Sequence, residues 1–270
     1  MFGDLIGNDF GSGSEDCLHM NIYVPKTALQ EHRQLPVYVY FHGGAFLLGS
    51  NSDIDGTKVA REQDIIIAIT NYRLGIFGFW FSDQILHSDD PIDSGNQGIL
   101  DQQCAMKWIR DFIYYFGGEP SKVTIGGMSA GAQSIQTHLV VESSQSLFKR
   151  AISHSGPTGV PLKNVEESVQ FYKDVASYTN CCFGKSIIFK RQCHIFNQTS
   201  VECLRAKSPA ELQRAAYKLL NIVPDFSKIT QLIEPFAPTI GSKLVPESPF
   251  AVFADGSLVD KPMIFEVSNF

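Results

Sequence analysis

The stretch that most constrains the fold is KVTIGGMSAGAQSIQTHLVV, Lys122 to Val141. Its opening residues, Lys122 to Gly126, are β-branched and apolar and predict a short strand. Its second half, Ala130 to Val141, predicts a helix. Between them stands Gly127-Met128-Ser129-Ala130-Gly131, a G-x-S-x-G pentapeptide. A strand turns into a helix within so few residues only where small side chains let the two backbones pass closely. Such a turn lifts the serine to the carboxyl edge of a sheet, at a helix N-terminus whose unpaired N–H groups face any anion formed there. A pentapeptide with three fixed positions recurs by chance, and a serine at this point can be a plain helix cap. The strand–turn–helix setting makes Ser129 the candidate nucleophile.

The rest of the chain supplies a fold around that turn. Leu35 to Phe41 reads as a buried strand that ends in the glycine loop His42-Gly43-Gly44. Asp64 to Thr70 is a continuous apolar run, as in a strand covered on both faces. Ile99 to Phe116 carries Leu100, Cys104, Trp108, Phe112 and Tyr115 at spacings of three and four, which predicts an amphipathic helix stopped by Gly117, Gly118 and Pro120. Arg150 to Ser153 and Met263 to Val267 predict further strands. Ser208-Pro-Ala-Glu211 is a capping box opening a helix through Leu220. Alternating strands and helices predict an α/β fold in which a largely parallel sheet is covered on both faces. No repeat or low-complexity linker divides residues 1–270, which predicts one domain.

The loop Phe41-His42-Gly43-Gly44-Ala45-Phe46 gives the serine a partner. N–H groups of Gly44 and Ala45, with that of Ala130 after the nucleophile, would form an oxyanion hole. Losing one such donor costs about 3–4 kcal/mol of transition-state stabilisation.

Composition narrows the function. A net charge of −6 and a pI near 5.6 argue against a general nucleic-acid binder, since no basic stripe exists to displace counterions from phosphate. The longest apolar runs, such as Ile65 to Thr70, are too short to cross a bilayer. The first residues, MFGDLIGND, lack the basic and apolar regions of a signal peptide. Six cysteines occur without a C-x-x-C pair or zinc-type spacing, so no metal site is expected. Four of them, Cys181, Cys182, Cys193 and Cys203, cluster around the one glycosylation sequon, Asn197-Gln198-Thr199. Together these features point to an oxidising compartment, either secreted or in the ER lumen.

Several longer motifs converge on one family. Glu15-Asp16-Cys17-Leu18, Asn71-Tyr72-Arg73-Leu74-Gly75, Gly95-Asn96-Gln97-Gly98, Leu100-Asp101-Gln102, Phe116-Gly117-Gly118, Val123 through Gly131, and Ala151-Ile152 through Ser155-Gly156 occur in order. In this the chain resembles the type-B carboxylesterases, the cholinesterase-like branch of the α/β-hydrolases, over nearly its whole length. The resemblance implies a serine carboxylic-ester hydrolase acting on a small-molecule ester without cofactor. Ser129 would attack the carbonyl, the oxyanion would rest on Gly44, Ala45 and Ala130, and water would release the acyl-enzyme. It also implies a short disulfide loop ending at Cys203, with Cys193 as the nearest partner. Cys181 or Cys182 would serve if Phe183 to Gln192 is an insertion. Cys17 would pair upstream, where no cysteine exists. Asn71 and Arg73 would be scaffold hydrogen-bonders, with Glu15–Arg73 as an ion pair.

The chain also departs from that pattern. In register, the catalytic acid would follow Phe270 and the catalytic histidine would come later still. Glu266 falls where the family usually carries glycine and reads as a strand-end residue. His138, His154 and His194 are the histidines after Ser129, and none fits the base; His154 stands where glutamine is usual. The 270 residues are thus expected to correspond to the middle half of an enzyme and to be nearly inactive alone, for want of a base. Met128 replaces the glutamate usual before the nucleophile, and no tryptophan precedes Cys17. Both point away from a cholinesterase and towards a general carboxylesterase, and Met128 points to an apolar ester. The competing expectations are a non-catalytic adhesion or binding protein on the same fold, and an inactive truncated product.

Overall fold

The computed structural model describes residues 13–82, 95–156, 162–181, 200–222 and 236–266. Its centre is a six-stranded sheet. The strands are β1 (Met20–Tyr23), β2 (Leu35–Phe41), β3 (Ile66–Thr70), β4 (Gly118–Met128), β5 (Arg150–His154) and β8 (Met263–Glu266). They lie in the order β1-β3-β2-β4-β5-β8, and only β1 runs antiparallel. A second sheet pairs β6 (Lys163–Asn164) with β7 (Thr239–Ile240).

Side-chain period decides which face each strand buries. In β2, Leu35, Val37, Val39 and Phe41 point into the main core with Ile66, Ala68, Val123, Ile125 and Ala151. The alternate residues Tyr38 and Tyr40 join Ile67, Ile69 and Ala60 on the opposite face, under α2 (Thr57–Gln63). The all-apolar β3 is buried along its whole length, as its continuous run predicts. Helices α4 (Gln97–Phe112) and α5 (Ala130–Val140) cover the first face.

Helix α4 corrects the apolar stripe expected from the sequence. Cys104 and Phe112 are exposed, and Leu100 and Trp108 are half-buried. The buried face carries Ile99, Gln102, Gln103, Met106 and Ile109. Gln102 donates to the Ser134 hydroxyl at 3.0 Å, and Gln103 donates to Ser143 and Ser144 at 2.9 and 2.8 Å. Two glutamines on the core side thus obscure the period, and hydrogen bonding is what lets them be buried. The helix ends at Phe112, with a 3₁₀ turn at Ile113–Phe116.

Smaller helices are α1 (Lys26–Gln30), α3 (Gly75–Gly78), α7 (Ser200–Arg205) and α9 (Pro249–Asp255). The sequence pattern over Val165–Tyr178 predicts no element. The structure makes it helix α6, opened by a capping box between Asn164 and Glu167. The capping box of α8 (Pro209–Ile222) forms as expected, with Glu211 accepting from the Ser208 N–H and hydroxyl at 3.0 and 2.8 Å.

The disulfide differs from the first expectation: Cys203 bonds Cys181, not Cys193, with Cα atoms 5.6 Å apart. The Cys181 N–H donates to Ala176 O at 2.7 Å, which holds Cys181 against the end of α6. Cys203 faces it from α7, and Val175 of α6 and Leu204 of α7 are both buried in the core. Cys193 and the sequon at Asn197 lie outside the described residues. Cys17 is a free thiol. Among the described residues no helix is long and apolar enough to cross a membrane.

Candidate active site

Strand β4 delivers Ser129 to the carboxyl edge of the sheet, between β2 and β5. The serine has φ 56° and ψ −120°, a left-handed backbone that a residue with a Cβ adopts only under constraint. It occupies the N-cap position of α5, yet its side chain makes no capping hydrogen bond. A plain helix-cap serine would have an extended backbone and an engaged hydroxyl.

The constraint comes from backbone crowding. A Cβ on Gly131 would stand 2.1 Å from the Phe41 carbonyl oxygen. One on Gly43 would stand 2.7 Å from Met128 O and 3.3 Å from the Ser129 Cβ. Real Cβ atoms essentially never come within 3.0 Å of such backbone atoms, so the 2.1 and 2.7 Å approaches call for glycine where the end of β2 passes the turn between β4 and α5. The same crowding brings the His42–Phe46 loop against the serine.

In that loop Gly44, Ala45 and Phe46 all have positive φ, at 114°, 53° and 58°. The Leu47 and Leu48 N–H groups fold back onto Gly44 O at 2.9 and 3.1 Å. Among the described residues, the N–H groups of Gly44, Ala45 and Ala130 have no backbone acceptor. An oxyanion hole needs backbone N–H groups that are not spent on other backbone acceptors, and these three meet that requirement among the described residues.

Two supports hold the loop. Phe46 is buried edge-on to Phe79, centroids 4.8 Å apart, and its carbonyl accepts from Gly75 N–H at 2.7 Å. The His42 ring stacks on Tyr72 at 4.6 Å, and the Tyr72 hydroxyl donates to His42 O at 2.7 Å. Burial pushes the His42 pKa down, disfavouring the charged ring. Tyr72 as a prop for this loop is not legible from its motif, because the stack joins positions 30 residues apart.

The other singled-out residues serve elsewhere. His138 is fully buried, bonds Ser144 Oγ and Gln102 Oε1 at 2.9 Å each, and has its pKa pushed down to about 3 by burial. That makes it a neutral core residue. Arg73 pairs with Asp101 instead of Glu15, in a fork of two 2.7 Å bonds. Asp101, one turn into α4, also accepts from the Arg73 N–H, so the backbone fixes the pairing. Asn71 is a scaffold residue: it accepts from Asn51 N–H at 2.7 Å and donates to Cys17 O at 3.0 Å. Glu266 ends β8 as expected and is joined to His154 Nδ1. Among the described residues no cluster of His, Cys, Asp and Glu could hold a metal.

A left-handed serine between a parallel strand and a helix, packed against a glycine loop, is the arrangement expected of an α/β-hydrolase nucleophile. The sequence model of the carboxylesterase family matches residues 3–269. The chain belongs to the carboxylesterase family. Carboxylesterase 5A of Felis catus is 36% identical over 257 residues, which cover 95% of this chain and 42% of that protein. The para-nitrobenzyl esterase of Bacillus subtilis (strain 168) is 36% identical over 253 residues, covering 93% and 46%. A solved thermophilic pNB esterase superposes with a TM-score of 0.77 at 32% identity, covering 95% of this chain and 48% of the other. The chain thus has the α/β-hydrolase fold and spans about half the length of the carboxylesterases it matches.

Proposed function

We propose that this carboxylesterase-family chain serves carboxylic-ester hydrolysis through Ser129. The reading rests on one observation above all, the left-handed backbone of Ser129 with its hydroxyl uncommitted as a cap. The Ser129 hydroxyl attacks the ester carbonyl, and the alkoxide oxygen that forms accepts from the N–H groups of Gly44, Ala45 and Ala130. Collapse expels the alcohol and leaves an acyl-serine, which water cleaves to the acid. A general base must take the serine proton, and His138 is excluded from that role by its bonds to Gln102 and Ser144.

The half-exposed Met128 beside the serine favours an apolar small-molecule ester. The Cys181–Cys203 bond supports an oxidising location, secreted or in the ER lumen, where Asn197 would be open to glycosylation. A non-catalytic binding protein on this fold would have no use for a constrained serine beside open donors.

The test is turnover of a p-nitrophenyl ester by the protein as expressed from its own gene, with Ser129→Ala as control. Loss of about 10⁴-fold or more in kcat is expected. Equal rates for the two proteins would end the reading.

A further inference from the structure

The peptide unit joining His154 to Ser155 connects the nucleophile to the edge of the sheet. Its carbonyl, on His154, accepts from the Ser129 N–H at 3.1 Å. Its N–H, on Ser155, donates to Glu266 O at 2.7 Å. A peptide unit is planar and rigid, so rotating it to suit one partner disturbs the other. Ser155 has φ 48°, a left-handed value that a serine does not hold without restraint. Beyond it β8 is a four-residue strand whose Ile264 and Phe265 are exposed, with Phe265 meeting Phe253 edge-on at 5.5 Å.

One further link closes this ring. His154 and Glu266 are opposite each other in the β5–β8 register, and the imidazole Nδ1 bonds the Glu266 carboxylate. Met128 is opposite His154 on the other side. The three side chains form one row across β4, β5 and β8, on the face turned away from α5. Gly127 and Ser153, one residue earlier in the same strands, meet α5 through Gly131 and Gln136.

We propose that His154 and Glu266 are a positioning pair for Ser129. Their side-chain bond fixes the tilt of the His154–Ser155 peptide, and the peptide carbonyl fixes the Ser129 N–H. The pair touches no reacting atom, and its catalytic consequence rests on the reading of Ser129 as the nucleophile. The pair is partly exposed, so its effect is modest; exposed pairs shift local equilibria by about two- to fivefold.

The experiment compares the wild-type protein, His154→Ala, Glu266→Ala and the double variant. Hydrogen exchange is read at the Ser129 and Ser155 amides, with the amides of α4 as an internal reference. Reaction of Ser129 with a fluorophosphonate is resolved into a binding constant and a bond-forming rate. Each single variant should speed exchange at Ser129 about two- to fivefold and slow bond formation by a similar factor, with binding unchanged. The double variant should match the singles, because breaking one link twice adds nothing. Unchanged exchange at Ser129 in all variants, or effects that add, would overturn the proposal. Absence of labelling in all four proteins would count against the esterase reading, and the exchange data would still decide whether the pair restrains Ser129.

Discussion

The turn around Ser129 and the helical cover formed by α6 to α8 are held by opposite means. At the turn, the contacts are between backbones: Gly131 passes the Phe41 carbonyl, and Gly43 passes Met128 and Ser129. In the cover, the contacts are between side chains. Tyr172, Val175, Leu204 and Leu212 come together with Trp80 in one apolar cluster, and the Cys181–Cys203 bond ties α6 to α7. Backbone crowding leaves no tolerance for a Cβ, whereas side-chain packing and a covalent tie degrade by increments. The difference teaches where this fold can vary: the turn is fixed atom by atom, and the cover is fixed only in volume and connection.

The strongest challenge to that contrast is Gly131→Val. A branched side chain beside the Phe41 oxygen has nowhere to go, and a loss of about 4 kcal/mol or more is expected in thermal or urea unfolding. A value near 1 kcal/mol would show that the turn relaxes and would erase the distinction. Next comes Cys203→Ser, which opens a 22-residue separation and should cost about 3 kcal/mol by the same assay. The contrast requires that the folded variant keep its Ser129 reactivity, because the tie lies in the cover.

The acid limb of stability gives a third check. His138 is held neutral down to about pH 3, while its ordinary pKa is 6.5. Below about 6.5 the unfolded chain takes up a proton that the folded one does not, so stability falls with pH through that window. The slope reaches at most about 1.4 kcal/mol per pH unit. His138→Gln should flatten the slope, as seen in unfolding midpoints between pH 4 and 7. An unchanged slope would remove His138 from the account.

The smallest effect should be a gain. Ala45 has φ 53°, and Ala45→Gly should raise stability by about 1 kcal/mol by relieving a left-handed alanine. A loss would mean that the Cβ packs usefully in the loop.

The same contrast explains what the sequence discloses. The turn was legible because its constraints are local: Gly127, Ser129 and Gly131 are within five residues, and each glycine answers a clash. The strands β2, β3 and β5 were legible from continuous or alternating apolar runs. The inward face of α4 was not, because Gln102 and Gln103 are buried by partners in α5 and the residues after it. The Arg73–Asp101 fork, the Tyr72 prop and the His154–Glu266 pair share that character. Each joins residues 28 to 112 positions apart, and no local pattern reports a pairing made by the fold. The disulfide is intermediate: the cysteines were visible, but the choice of Cys181 depends on where α6 ends.

The most direct measurement is mass-spectrometric mapping of a fluorophosphonate adduct on the folded protein as its own gene expresses it. The account predicts one adduct, on Ser129, absent from Ser129→Ala and from protein unfolded before exposure. A folded protein that leaves Ser129 unmodified, or that carries the adduct on another serine, would contradict it.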